Sequence, residues 1–151
     1  MTTLGNVSLL EQALHGFVCS RTTKSSVILP CLDWASRMSG GKEVVMSTFH
    51  SPIEKSVLEI LLRGNCPIAI VLGRKLYKEV PSLWKKSIEE GRMLIVSLTE
   101  QSRISQQSAL ESNKFILEKS EDVFVGFASP NGNLDKLLKN ENIRYKLIWQ
   151  H

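Results

Sequence analysis

An α/β fold, a single doubly wound and mainly parallel sheet of Rossmann-like type with helices on both faces, is predicted by three features of the sequence. The first is Pro67-Ile68-Ala69-Ile70-Val71-Leu72-Gly73, an apolar run rich in β-branched residues and closed by a glycine. Such a run suits a strand buried on both faces of a parallel sheet. The second is alternation: strand-like and helix-like segments follow one another, which demands crossover connections, and right-handed crossovers place helices on both faces. The third is size. With 151 residues and 42% hydrophobic composition the chain can bury one good core and is too short for two ordinary domains, so a single domain over 1–151 is expected.

Taken in order, Val7 to His15 carries apolar residues at Val7, Leu9, Leu10, Ala13 and Leu14, the spacing of a short amphipathic helix capped by Asn6. Gly16-Phe17-Val18-Cys19 reads as the first strand and empties into Ser20 to Ser26, a loop dense in hydroxyls with two cations. Val27 to Met38 has helical spacing and is stopped by Ser39-Gly40-Gly41; Pro30 fits only near its first turn. Glu43 to Ser47 is the next strand. Ser51-Pro52-Ile53-Glu54 then combines a capping Ser, Pro at the first helical position and Glu at the third, which starts a helix from Pro52 to Arg63 with Gly64 as its stop.

After the strand at Pro67 to Leu72, Pro81 and Ser82 open a helix through Glu90 that Gly91 ends, and Arg92 to Leu98 repeats the strand pattern. A polar stretch, Thr99 to Gln107, leads to a helix from about Ser108 to Lys119. Val123 to Phe127 is another strand, Ser129-Pro130-Asn131-Gly132 is turn chemistry, a short helix covers about Asn133 to Leu138, and Tyr145 to Trp149 is the last strand.

Composition narrows the function classes. Cys19, Cys31 and Cys66 are odd in number and far apart, with no C-x-x-C pair and no Cys/His cluster, so buried free thiols are expected rather than a disulfide framework or a metal site. Nineteen Lys and Arg against fifteen Asp and Glu give +4, which permits an anionic partner without demanding one. No apolar run exceeds strand length and Met1 to Asn6 has no signal-peptide pattern, so a soluble, cytoplasmic protein without a membrane partner is expected. Trp34, Trp84 and Trp149 fall within helix or strand patterns and are expected in the core.

Ligands of parallel sheets bind beyond the carboxyl ends of the strands, and Gly73, Arg74 and Lys75 leave the sheet there. Where a dinucleotide fingerprint would stand, the chain has Cys19-Ser20-Arg21-Thr22-Thr23-Lys24, and the Lys24-Ser25 pair lacks the glycines of a phosphate-wrapping loop. Ser20, Arg21 and Lys24 nevertheless combine hydroxyls and cations at a helix N-terminus, as do Thr48 and His50 one strand later. Ser51 has no Ser-His-Asp partners and no G-x-S-x-G elbow occurs, so no catalytic residue is assigned. Glu54 has a sufficient structural reason in its capping position; general-base work by Glu54 or His50 is the alternative.

Several segments carry a family likeness. Cys19-Ser20-Arg21 stands where a Gly-Ser-Arg signature ends a first strand, and Ser47 to Glu54 is partly similar to Ser-Gly-x-Ala-Arg-Gly-Ile-Asp. Ile68 to Gly73 with Val80-Pro81 is similar to a strand, Leu-Gly turn and Tyr-Pro, and Asn113-Lys114 to an Asn-Arg pair. From Gly16 to Leu138 the chain thus resembles the Rossmann-type domain of the DNA-processing A (Smf/DprA) proteins, in the superfamily that includes the Lonely Guy and lysine-decarboxylase-like proteins. The resemblance implies ligand contacts at Ser20, Arg21, Ser47, Gly73, Asn113 and Lys114, single-stranded DNA or a nucleotide as ligand, and a homodimer. Thr48, Ser51 and Pro52 replace the family's glycines and arginine, which implies a degenerate DNA pocket, and the Pro-Gly-Gly-x-Gly-Thr-x-x-Glu loop of the phosphoribohydrolases is absent. The combined expectation is a non-catalytic, cofactor-free binder of a phosphate-bearing ligand. An enzyme on a nucleotide-derived metabolite and a ligand-free self-associating domain are the alternatives.

Overall fold

The apolar run forms β4 (Ile68–Leu72), every residue of it buried, between β3 (Val44–Ser47) and β5 (Met93–Ser97), in a computed structural model that describes residues 1–149. The remaining strands are β1 (Thr2–Gly5), β2 (Leu14–Val18), β6 (Asp122–Val125) and β7 (Leu147–Trp149). Together they make a seven-stranded sheet in the order β1-β5-β4-β3-β2-β6-β7, parallel throughout except where β1 pairs antiparallel with β5. The chain steps outward from β2 to β5, then returns to the other side of β2 as β6. This reversal creates a topological switch point between β2 and β6.

Among the described residues five α-helices cover the sheet: α1 (Ile28–Ser39), α2 (Pro52–Arg63), α3 (Ser82–Glu89), α4 (Gln106–Lys119) and α5 (Asn133–Leu138). Alternate strand residues feed opposite faces. Ile68 and Ile70 join the layer under α1 to α3, with Val57 and Leu61 of α2, whereas Ala69 and Val71 join Ile116 and Leu117 of α4 on the other side. Trp34 of α1 stacks on Phe17 and Phe124 at ring-centroid distances of 5.2 and 5.0 Å, which seats α1 across β2 and β6. At the amino ends of the strands His15 Nδ1 meets Asp122 Oδ1 at 2.9 Å, with Glu43 on the other ring nitrogen, joining β2, β3 and β6 away from the carboxyl edge.

Three sequence expectations are corrected. Val7 to His15 is not one helix: a 3-10 turn spans Val7–Glu11, and Leu14 and His15 already belong to β2. Only Leu9 of the turn is buried, so the apparent amphipathic stripe was shared between two elements. Thr2–Gly5 adds an edge strand where no apolar run announces one. Trp149 is 43% exposed on β7, and Trp84 is only partly buried. The free thiols Cys19, Cys31 and Cys66 are buried as expected, and α2 has the bounds its capping residues indicate.

Candidate functional site

A cavity of about 780 Å³ opens at the carboxyl edge, across the ends of β2, β3 and β4, within the size range of small-molecule sites. Its lining divides by chemistry. Ser20, Arg21, Thr48, His50 and Lys55 face it on the side of β2, β3 and the start of α2. Leu58, Leu62, Tyr77, Leu83, Trp84 and Ile104 form its apolar and aromatic wall, Leu58 and Leu62 on the same helix as Lys55. A ligand with a charged group and a flat ring matches such a lining.

Glu54 organises the polar side. It sits in the first turn of α2, is 4% exposed, and its carboxylate accepts hydrogen bonds from four groups. Oε1 accepts from Thr48 Oγ1 at 2.7 Å, from the His50 N–H at 3.0 Å and from the Ser51 N–H at 3.2 Å. Oε2 accepts from the Cys19 N–H at 3.0 Å, so one side chain binds the end of β2 to the loop after β3. That loop contains Phe49 at φ 50°, a left-handed conformation uncommon for a bulky residue, with its ring buried and its N–H donating to Ser47 Oγ. Ser51 Oγ, in a residue 5% exposed, stands at the capping-box position facing the Glu54 N–H and makes no closer hydrogen bond among the described residues.

Electrostatically, His50 is held below its ordinary value of 6.5. Burial is the largest cause, followed by the charges of Lys55 and Arg21, with Glu54 acting in the opposite sense. The imidazole is therefore neutral at neutral pH beside two exposed cations. Cys19 also lines the cavity, but its thiol is held protonated, foremost by a hydrogen bond with Cys31 and then by burial, which removes it as a nucleophile.

The wall is fixed by two loops joined to each other. Ser97 Oγ reaches Arg74 O at 2.6 Å and Lys75 N–H donates to Gln101 O at 2.7 Å. Arg74 lays its guanidinium over the Tyr77 ring, 4.2 Å from the centroid, and Tyr77 meets Trp84 edge-on at 6.2 Å. Ser112 Oγ donates to Leu72 O and holds α4 against the end of β4, which brings Asn113 to the cavity.

Of the residues singled out in the sequence, Ser20, Arg21, Thr48, His50, Gly73 and Asn113 line this cavity. Ser47 does not: it is fully buried with Oγ turned to the Phe49 N–H. Lys24 stands over the Phe127 ring, Arg74 behind Tyr77, and Lys75 and Lys114 on the exposed surface, all outside the lining. Glu54 was read as a cap, and the cap accounts for only one of its four donors. Lys55, one residue on, received no signal of its own. The aromatic wall was hidden because Tyr77 and Trp84 come together only through the loop between β4 and α3.

The strand order, with helices on both faces of a mainly parallel sheet, defines a Rossmann-type α/β fold. Within that class the fold is that of the DprA proteins. The chain is similar to the structure of DNA processing protein A from Helicobacter pylori, a protein that binds single-stranded DNA, with a TM-score of 0.74 and 17% identity over 99% of this chain and 71% of that one. It is similar to DprA from Streptococcus pneumoniae with a TM-score of 0.74 and 16% identity, over 97% of this chain and 53% of that one, so it spans about half of the streptococcal protein. No family model and no curated protein matches the sequence. Among the described residues no helix is long and apolar enough to cross a membrane.

Proposed function

We propose that the cavity binds a phosphate-bearing ligand, either a nucleotide-like metabolite or one nucleotide of a single strand, and that the protein acts by binding. The observation that carries this reading is the mixed lining of the cavity: the cations Arg21 and Lys55 beside His50, together with the rings of Tyr77 and Trp84. Cations suit a phosphate, and aromatic faces suit a base whatever its identity. The DprA-like fold supports it, since the Helicobacter pylori protein binds single-stranded DNA. Ser20, Thr48, Gly73 and Asn113 are then contacts within the cavity; Lys24, Arg74, Lys75 and Lys114 serve as outer cations along a longer strand.

The alternative enzymatic reading asks Glu54 for a proton-transfer role, and its carboxylate is already the acceptor for four donors. His50 remains as a group that can accept a proton. A turnover lost in His50→Gln but kept in Glu54→Gln would favour that reading. For self-association, the outer edge of β7 leaves Ile148 and Trp149 about half exposed, and sedimentation of Trp149→Lys against the unaltered protein tests it.

The decisive experiment titrates an oligothymidylate and a nucleoside monophosphate at two salt concentrations. Arg21→Ala should weaken binding by roughly 1–2 kcal/mol, about five- to thirtyfold, as expected for loss of a charge-assisted contact. An oligonucleotide should also lose affinity with salt at a logarithmic slope of about 0.7 per phosphate contacted. Absence of binding by both ligands, or binding indifferent to Arg21→Ala, overturns the proposal.

A further inference from the structure

We infer that the floor of the cavity is an oxyanion-binding site whose resident anion is the protein's own Glu54 carboxylate. The donors come from separate parts of the chain: the Cys19 N–H from the end of β2, Thr48 Oγ1 and the His50 N–H from the loop after β3, and the Ser51 N–H from the start of α2. A helix cap requires only the last of these. Four donors within 2.7 to 3.2 Å of one carboxylate, at a helix N-terminus, is the arrangement that holds a bound phosphate or carboxylate in a ligand site. The floor is thus built for an anion and already contains one.

This occupancy determines where an incoming anion goes. Backbone N–H groups at the floor are spoken for, and a second negative charge beside a 4%-exposed carboxylate is repelled. The cations available to a ligand are on side chains of the lining, Arg21 and Lys55, whose charges both act on His50. Glu54 is therefore a positioning residue that moves the anion subsite from the backbone to the rim. The four donors around Glu54 are the same whichever ligand the rim accepts.

Removing the side chain should expose the site to small oxyanions. Thermal unfolding of Glu54→Ala is measured in acetate, inorganic phosphate and chloride at equal ionic strength, beside the unaltered protein. The variant should melt lower in chloride and regain roughly 3–6 °C at an oxyanion concentration about ten times its Kd, as mass action on the folded state requires. The unaltered protein should show a smaller difference between the salts, limited to what Arg21 and Lys55 bind at the rim. Equal shifts in both proteins, or a folded variant that ignores acetate and phosphate, overturn the inference. Glu54→Gln supplies a second reading should the alanine variant fail to fold: it fills the space without the charge, and should melt well below the unaltered protein in every salt without rescue. A glutamine variant as stable as the unaltered protein shows that no anion is needed there and equally overturns the inference.

Discussion

At His50 the sign of the shift makes a prediction about pH. Its folded-state pKa lies below the ordinary 6.5, with burial as the main cause and Lys55 and Arg21 adding repulsion. As pH falls through 6.5, the unfolded chain takes up a proton that the folded chain refuses, so this residue subtracts stability as pH drops and stops doing so below its folded pKa. A phosphate bound beside Arg21 and Lys55 reverses the environment and favours the imidazolium. In an NMR titration the His50 ring should titrate below 6.5 in the free protein and move upward when a nucleoside monophosphate saturates it. A midpoint unmoved by saturating ligand would place the phosphate away from His50. That such a histidine belonged to the site was readable from its position after a strand and before a capped helix. Its neighbours were less readable: Lys55 looks like any solvated helix residue, and Ser47, fully buried and bonded to Phe49, looks in sequence like its exposed neighbours.

Among the elements, the contact of α4 with β2 depends on a missing side chain. A Cβ at Gly16 would stand 2.7 Å from Ser120 Oγ, 3.0 Å from Ile116 Cγ2 and 3.2 Å from Val123 Cγ2, so α4 packs where any larger residue would hold it off. Gly16→Ala should destabilise the fold by about 1–3 kcal/mol, the cost of overpacking a filled interior. Its urea midpoint should fall with little change of slope; an unchanged midpoint would mean that α4 yields freely. Sequence patterns served these elements unevenly, for identifiable reasons. β4 and β5 are continuous apolar runs, and α2 has Pro52, Ser51 and Glu54 at its start, so local chemistry and tertiary role agree. β1 has no apolar run because it is an exposed edge whose pairing with β5 supplies its structure, and pairing leaves no local mark. The Val7 to Leu14 stripe misled because Leu9 and Leu14 enter the same core cluster from different elements, giving a helical spacing without a helix.

For the molecule as a whole, the two layers of core share one set of strands. Ile68 and Ile70 of β4 belong to one layer and Ala69 and Val71 to the other, and β3 divides in the same way between Val45 and Met46. Losing either layer exposes strand residues whose neighbours sustain the other, which predicts a single cooperative transition. Probes on opposite faces can check this. In a Trp149→Phe background, which removes the ring beside α5, Trp34 and Trp84 report by fluorescence on the side of α1 to α3, while far-UV circular dichroism also follows α4 and α5. Their urea midpoints should coincide, and a fluorescence transition earlier than the loss of ellipticity would show that the faces separate. The site inherits this unity. Its cavity takes Glu54 and Trp84 from one face and Asn113 and Leu134 from the other, so no half-folded chain contains it. A bound nucleoside monophosphate should therefore raise both midpoints by the same amount, whereas a ligand that stabilised only the fluorescence transition would be bound to one layer alone.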